Sequence, residues 1–115
     1  MDWNLLSDIS SGALTGALRA CSARQKALAD NIANVDTPGY IRRDLQFEEA
    51  LAAAVRTARW APQRAGRAVS EFRVGPKRDR SLPARADGNN VDIDREMVAL
   101  ARNALRYQAA GEALS

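Results

Sequence analysis

Apolar side chains recur at heptad spacing near both ends of this chain, and no other feature constrains its fold as strongly. The first stretch runs from about Gly12 to Asn34 and is interrupted only by the polar Gln25, while the second begins at Ile93. Residues at this spacing line one side of a helix and pack against a similar stripe on another helix. The predicted helix seam consists of Leu14, Leu18, Leu28 and Ile32 in the first stretch and Ile93, Met97, Leu100 and Tyr107 in the second.

A mainly α fold follows, in which N- and C-terminal heptad helices pair in a coiled-coil-like manner. If they pair within one chain they run antiparallel, because the connector folds back and reverses the chain direction. Leu28→Asp is then expected to place an unpaired charge in the seam, at a cost on the order of several kcal/mol. Arg24 lies off the stripe, so Arg24→Asp is expected to cost little.

A turn and a shorter helix are predicted after the first heptad stretch. Thr37-Pro38-Gly39-Tyr40 fits a type II turn, because proline suits the second position and glycine the third, where φ must be positive. Asp44 can serve as N-cap of the short helix, and Phe47 and Leu51 share one of its faces.

The part that follows the short helix has no periodicity. It contains three of the four prolines and most of the excess of basic residues, so it is predicted to be a flexible, irregular connector, with a short strand over residues 69–74 as an alternative. Asp92 or Asp94 can cap the last helix. The chain is thus predicted to form a single domain that consists of an N-terminal helix (12–35), a turn (36–43), a short helix (44–60), a flexible basic connector (61–88) and a C-terminal helix (89–115).

The residue types present exclude several kinds of site. The chain has no histidine and one cysteine, so neither an internal disulfide nor a Cys/His zinc site can form. The segment from Asp87 resembles a calcium loop, but its glycine falls second instead of sixth, and Val98 occupies the twelfth position. Because no nucleophile–base set is present either, we expect no cofactor, no metal and no enzymatic activity.

Charge is distributed unevenly along the chain. Residues 56–85 carry a net charge of +7, whereas the parts before and after them each carry −2. A small basic nucleic-acid-binding protein is therefore the alternative function. That alternative leaves the two heptad stripes and the turn unexplained, and no recognisable nucleic-acid module is present. We expect neither nucleic acid nor a small-molecule substrate as a partner.

Two asparagines, Asn31 and Asn34, lie three residues apart and therefore on the same side of the first helix. They could form a polar face with a C-cap, since asparagine tolerates the left-handed conformation. They could also donate hydrogen bonds to a neighbouring chain. The residues themselves leave both interpretations open.

Two segments resemble the flagellar basal-body rod proteins. The first, residues 27–51, reads ALADNIANVDTPGYIRRDLQFEEAL and is similar to a motif shared by rod, hook and hook-associated proteins. The second, residues 88–110, reads GNNVDIDREMVALARNALRYQAA and narrows the resemblance to the proximal rod proteins. The residues that carry the family motif, expected at subunit interfaces, are Asn31, Asn34, Thr37, Pro38, Gly39, Tyr40, Asn89, Asn90 and Asp92.

The resemblance implies a structural subunit of the periplasmic rod. Such proteins are exported by the flagellar type III apparatus without a cleaved signal peptide, and their terminal helices pack side by side into a helical tube. The implied partners are further copies of the chain, other rod proteins, the membrane-ring and export-gate base, and the export apparatus. Phe47 and Leu51 resemble an export-gate signal, although ordinary packing of the short helix explains this pair equally well.

Overall fold

The structure, a computed structural model, describes residues 3–61 and 65–115, and the side chains of residues 7–61 and 66–115. It is mainly helical, and the two terminal helices pack against each other. The elements in chain order are α1 (Trp3–Ala33), β1 (Arg43–Asp44), α2 (Glu48–Ala58), α3 (Ala65–Ser70), β2 (Lys77–Arg78) and α4 (Ile93–Leu114). In the described part of the chain, no helix is both long and apolar enough to cross a membrane.

The long helices α1 and α4 are antiparallel, as predicted. Asn31 near the end of α1 contacts Glu96 at the start of α4. Cys21, earlier in α1, contacts Asn103, which lies later in α4. Leu18, closer to the start of α1, lies beside Gly111 near the end of α4. The order of these contacts reverses between the two helices, so the helices are antiparallel. The molecule is elongated, with extents of 57 × 25 × 15 Å.

Two small apolar clusters hold the shorter elements against α1. The first contains Ile9, Ala58 and Val69, which come from α1, α2 and α3. The second contains Ala20 and Cys21 of α1 together with Leu45 and Phe47, which follow the turn. Because many of the buried side chains are small, each cluster removes little apolar area from water, and burial stabilises by roughly 25 cal/mol per Å².

The helix α1 begins earlier than predicted, at Trp3 instead of residue 12. Gly12 and Gly16 have a low helix propensity, but both glycines are buried against α3. A Cβ atom at Gly12 would lie 2.3 Å from the backbone oxygen of Gly66, so only glycine permits this approach. Tertiary packing thus outweighs the low helix propensity of glycine.

The predicted start of the short helix is wrong by four residues. The helix α2 begins at Glu48, and Phe47 occupies the N-cap position without a side-chain hydrogen bond. Asp44 lies in β1, where its carboxylate accepts a hydrogen bond from the Leu45 N–H at 2.7 Å and does not cap α2. Asp44 and Arg43 are extended because they pair with β2.

The connector is not irregular throughout. Val69 belongs to a helix and is fully buried against α1, so the alternative of a strand over residues 69–74 is wrong. Lys77 and Arg78 then pair antiparallel with β1. Two apolar side chains, Val69 and Phe72, anchor a segment whose composition otherwise favours a loop.

Three of the eight residues of the predicted seam are exposed instead of buried between the helices. Leu28 is buried, and Leu14, Leu18, Ile32 and Leu100 are half-buried. Ile93, Met97 and Tyr107 are exposed; Met97 and Tyr107 retain 57% and 48% of their accessible surface. The side of α4 that faces α1 instead buries Glu96 and Asn103, because both of these polar side chains find hydrogen-bond partners there.

Candidate functional site

The two family-like segments, which residues 52–87 separate in sequence, meet in one polar joint at the end of α1. We use the name polar joint for residues 31–43 together with residues 85–96. Its centre is Asn31, whose side chain is completely buried. The Asn31 amide donates to the Arg43 carbonyl at 2.7 Å and to the Glu96 carboxylate at 3.1 Å.

The Asn31 oxygen is equally occupied. It accepts from the Tyr40 hydroxyl at 3.1 Å and from the Arg43 N–H at 2.9 Å. An asparagine side chain has two donor hydrogens and two acceptor lone pairs. All four are used within the chain, so the interpretation in which Asn31 bonds to a neighbouring chain is wrong for this residue.

Asn89 closes the C-terminal end of α1. Its buried side-chain amide donates to the backbone carbonyls of Asn34, Val35 and Thr37, at 2.9, 3.0 and 2.9 Å. These carbonyls belong to the turn that follows α1, which ends at Ala33. Asn89 thereby links this turn to the segment that precedes α4.

Asn90 plays the matching role for β1. Its side-chain oxygen accepts from the Arg42 N–H at 2.7 Å, and its amide donates to the Asp79 carbonyl at 2.7 Å. Asn89 and Asn90 are both buried. Like Asn31, they hold the subunit's own fold and do not present polar atoms to a neighbour.

The predicted turn has the geometry that its residues require. The Tyr40 N–H donates to the Thr37 carbonyl at 3.2 Å, and Gly39 has a φ of 76°. The Gly39 N–H donates to the Asp87 carbonyl at 2.8 Å, which ties the turn to the loop before α4. Thr37, Pro38 and Gly39 remain exposed.

Asn34 and Asp92 act on helix ends. The Asn34 amide donates to the Asp30 carbonyl at 2.8 Å, and its oxygen accepts from the Thr37 hydroxyl at 3.0 Å. Asp92 is the N-cap of α4, and its carboxylate accepts from the N–H groups of Asp94 and Arg95. Of the two predicted caps, Asp92 is therefore the one used.

The joint contains a buried ion cluster that was not predicted. Arg42 donates to the Glu96 carboxylate at 2.5 Å and also pairs with Asp79. Burial alone lowers the pKa of Arg42, but the hydrogen bond and the charge of Glu96 outweigh it, so the net pKa is raised and the guanidinium stays charged. Hydrogen bonds from Ser81, aided by Arg42, lower the pKa of Asp79.

Arg24 is not the solvent-facing residue that its position off the apolar stripe predicted. It is buried, donates to the Leu45 carbonyl at 2.8 Å and to both oxygens of Glu48, and lies 4.4 Å above the Phe47 ring. Partial burial by itself raises the pKa of Glu48, but hydrogen bonds from Arg24 and from the backbone outweigh it, and the net pKa is lowered. The prediction that Arg24→Asp costs little is therefore wrong.

Asn103 joins the middles of the two long helices. Its amide donates to the Cys21 carbonyl at 2.7 Å and to the Gln25 side-chain oxygen at 2.7 Å. Its own oxygen is buried and has no hydrogen-bond partner among the residues described. Cys21 next to it is a free, buried thiol, and burial raises its pKa.

Phe47 and Leu51 lie in the same apolar cluster. Phe47 is buried, Leu51 is half-buried, and the Leu51 N–H donates to the Phe47 carbonyl at 2.8 Å. Both side chains thus take part in ordinary packing in the folded subunit. Their role as an export signal concerns the unfolded chain and stays a prediction.

No group of three or more acidic or cysteine side chains within the described ranges is arranged to hold a metal ion. The residues that the sequence did not reveal are Arg42, Glu96 and Asn103. Glu96 and Asn103 are seven residues apart, but polar residues on a solvent-facing helix side show the same spacing, so the sequence alone does not indicate that they are buried.

Comparison with known proteins supports the family resemblance of the two segments. A family model described as "Flagella basal body rod protein" matches residues 13–40. The chain is similar to the flagellar basal body rod protein FlgB of Escherichia coli (strain K12), with 36% identity over 110 residues, covering 86% of this chain and 80% of that protein. FlgB of Bacillus subtilis (strain 168) is 32% identical over 108 residues, covering 89% of this chain and 81% of its own length.

Proposed function

Because the chain belongs to the FlgB family of flagellar basal body rod proteins and is a structural subunit of the rod, we propose that copies of the chain pack side by side into a helical tube that forms the proximal part of the rod. The uncovered apolar stripe of α4 is the observation that carries this proposal. Ile93, Met97 and Tyr107 follow heptad spacing, yet they are exposed in the single chain. A stripe of this kind gains stability when a neighbouring helix covers it.

Assembly would complete a fold that is weak in isolation. The core within one chain consists of two small clusters, and the α1–α4 contact is partly polar. Contacts with neighbours stabilise the folded state by mass action. In this proposal the contacts between copies are head-to-tail, and contacts of that kind propagate as a filament when they do not close into a ring. This function assigns no catalytic reaction to the chain.

The neighbours in this proposal are further copies, other rod proteins and the base of the basal body. The family supports association with basal-body components in general. Export through the type III apparatus without a cleaved signal peptide belongs to the same proposal, because a periplasmic rod subunit has to leave the cytoplasm.

The export signal can be separated from packing with a matched pair of substitutions. Phe47→Ala and Leu45→Ala each truncate a buried side chain of the same apolar cluster. If Phe47 and Leu51 form a signal, Phe47→Ala abolishes secretion at an unchanged cytoplasmic level, whereas Leu45→Ala is still secreted. Equal secretion of the two variants leaves Phe47 with a packing role only.

Deletion of the gene tests the function itself. We expect cells without it to be non-motile and to show basal bodies that lack rods by electron cryotomography, and a plasmid copy to restore both properties. Complete rods in the deletion strain would overturn the proposal. Two of the basic residues behind the alternative function, nucleic-acid binding, are already engaged within the chain: Arg67 pairs with Glu71 at 2.9 Å, and Arg85 donates to the backbone carbonyls of Val35 and Val91.

A further inference from the structure

The short β-ladder separates charge between its two faces. Arg42 and Asp44, two residues apart, point to the inner face, where Arg42 also meets Asp79 and Glu96. Successive side chains of a strand point to opposite faces. Arg43 therefore points outward, as does its cross-strand partner Arg78. The acidic side chains of this region thus lie on the inner face, with Arg42.

Three guanidinium groups share the outer face. Arg43 and Arg78 are directly opposite in the ladder, Arg80 follows two residues after Arg78, and all three are exposed. Among the side chains that the structure describes, none of the three has a carboxylate within 4.0 Å. Like charges directly opposite in a ladder destabilise it, so an anion bound between them would relieve the repulsion.

These arginines line a groove with a volume of about 440 Å³. Its other walls are the turn residues Pro38 and Tyr40 and the loop residue Gly88. The hydrogen bond from the Gly39 N–H to the Asp87 carbonyl holds the two walls together. The groove is therefore built on hydrogen-bonded backbone, and a ligand would find it largely preformed.

We propose that this groove binds carboxylates of an acidic segment on a neighbouring protein subunit. A guanidinium presents a planar fork of donors that matches a carboxylate in a bidentate arrangement. Three forks in so short a groove accommodate one or two carboxylates. The proposal rests on the proposed function in one respect, that the partner is a protein subunit of the same assembly.

A nucleic-acid strand fits this groove less well. Such a strand needs a basic track and aromatic faces on which bases stack. Tyr40 is the one aromatic side chain at the groove in the described structure, and its hydroxyl is bonded to the buried Asn31. The parts of the chain before and after the basic middle are themselves acidic, each with a net charge of −2. Related subunits with this charge pattern would present carboxylates to the groove.

The experiment measures binding of a fluorescein-labelled oligoglutamate peptide to the full chain by fluorescence anisotropy at low salt. The groove variant carries Arg43→Gln and Arg78→Gln. The control carries Arg56→Gln and Arg73→Gln, which remove the same charge from exposed sites that do not line the groove. We expect about tenfold weaker binding by the groove variant, equivalent to roughly 1.4 kcal/mol, and a change below about twofold in the control.

Three results would overturn the proposal: no binding of the peptide, an equal loss in both variants, or tighter binding of a single-stranded DNA oligonucleotide that is lost in the groove variant alone. Thermal unfolding checks the folds, and the groove variant should melt at an equal or higher temperature, because it loses a like-charge pair. Peptide binding requires no rod assembly. Failure of the peptide to bind would therefore leave the proposed rod function untouched. Complete rods in the deletion strain would overturn the rod function but would leave anion binding by the groove in place.

Discussion

The single residues that matter most in this subunit are buried polar side chains with nearly complete sets of hydrogen bonds. Asn31, Asn89 and Asn90 lie within the chain and bond mainly to backbone groups. A buried polar group without partners costs about 1–3 kcal/mol, so each asparagine fits only the arrangement that satisfies it. These residues specify how the turn meets the segment before α4.

The Arg42–Glu96 pair gives a prediction at this scale. Glu96 is 1% exposed, and removing it in Glu96→Ala leaves part of the buried Arg42 charge without its partner. We expect a loss of about 3 kcal/mol in the free energy of unfolding, measured by urea denaturation. The matched control, Glu112→Ala, removes an exposed carboxylate from the same helix and should change it by less than about 0.5 kcal/mol. Similar losses in the two variants would contradict the buried pair.

At the scale of elements, close backbone contacts and buried, hydrogen-bonded polar side chains position the helices more than broad apolar faces do. The helix α3 meets α1 through Gly12 and Gly66. The helix α4 meets α1 through Asn103 in the middle and through Glu96 at its start. The short strands connect these contacts and carry the exposed arginine face.

Two glycine substitutions test the α1–α3 contact. Gly111 of α4 serves as the comparison, because a Cβ atom there would meet only Leu18, at 3.9 Å. Alanine favours a helix over glycine by about 1 kcal/mol, so Gly111→Ala should stabilise the protein by up to that amount. Gly12→Ala should instead destabilise it by about 1–3 kcal/mol, because its Cβ would overlap the Gly66 backbone. Thermal and urea unfolding of both variants give the comparison. If Gly12→Ala also stabilised the protein, α3 would not pack at this site.

The seam within the chain is tested best at Leu28, with a control other than Arg24. Leu28→Asp places a carboxylate at a position that is 1% exposed and should cost about 3 kcal/mol or more. Lys26→Asp, at an exposed position of the same helix, should cost less than about 0.5 kcal/mol. Urea denaturation and swimming in soft agar should rank the variants in the same order. Equal stability of the two would mean that the seam is wrongly placed on α1.

Sequence reasoning reached the terminal helices, the turn at Thr37–Tyr40 and Asp92 as one of two candidate caps, because each depends on local periodicity or on one residue's conformational preference. It reached the antiparallel pairing because a connector that folds back reverses the chain direction. It did not reach the rotation of α4, since Glu96 and Asn103 are polar and an apolar pattern assigns them to the solvent. Arg24 was misplaced for the same reason. Their partners, Arg42, Cys21 and Glu48, come from other elements, and no local signal indicates these pairings.

At the scale of the whole molecule, the subunit is a rod-shaped helix pair with one end closed by the polar joint and one side left open. The open side is the apolar stripe of α4, and the arginine groove lies at the joint, so the two surfaces differ in chemistry. A subunit with distinct surfaces of this kind can contact several neighbours in fixed orientations. We infer that the apolar stripe supplies assembly energy and that the charged groove supplies orientation.

The most direct test of the assembly account is to charge the exposed stripe without disturbing the fold. Met97→Glu changes a side chain that is already 57% exposed, so the stability of the isolated subunit should change by less than about 0.5 kcal/mol. Ala109→Glu adds the same charge to the same helix at an exposed position outside the predicted stripe. Both variants would replace the wild-type copy in cells, with swimming scored in soft agar and rods imaged by electron cryotomography. The account predicts that Met97→Glu cells lack rods and do not swim, whereas Ala109→Glu cells build rods and swim. Equal swimming of the two variants would contradict it.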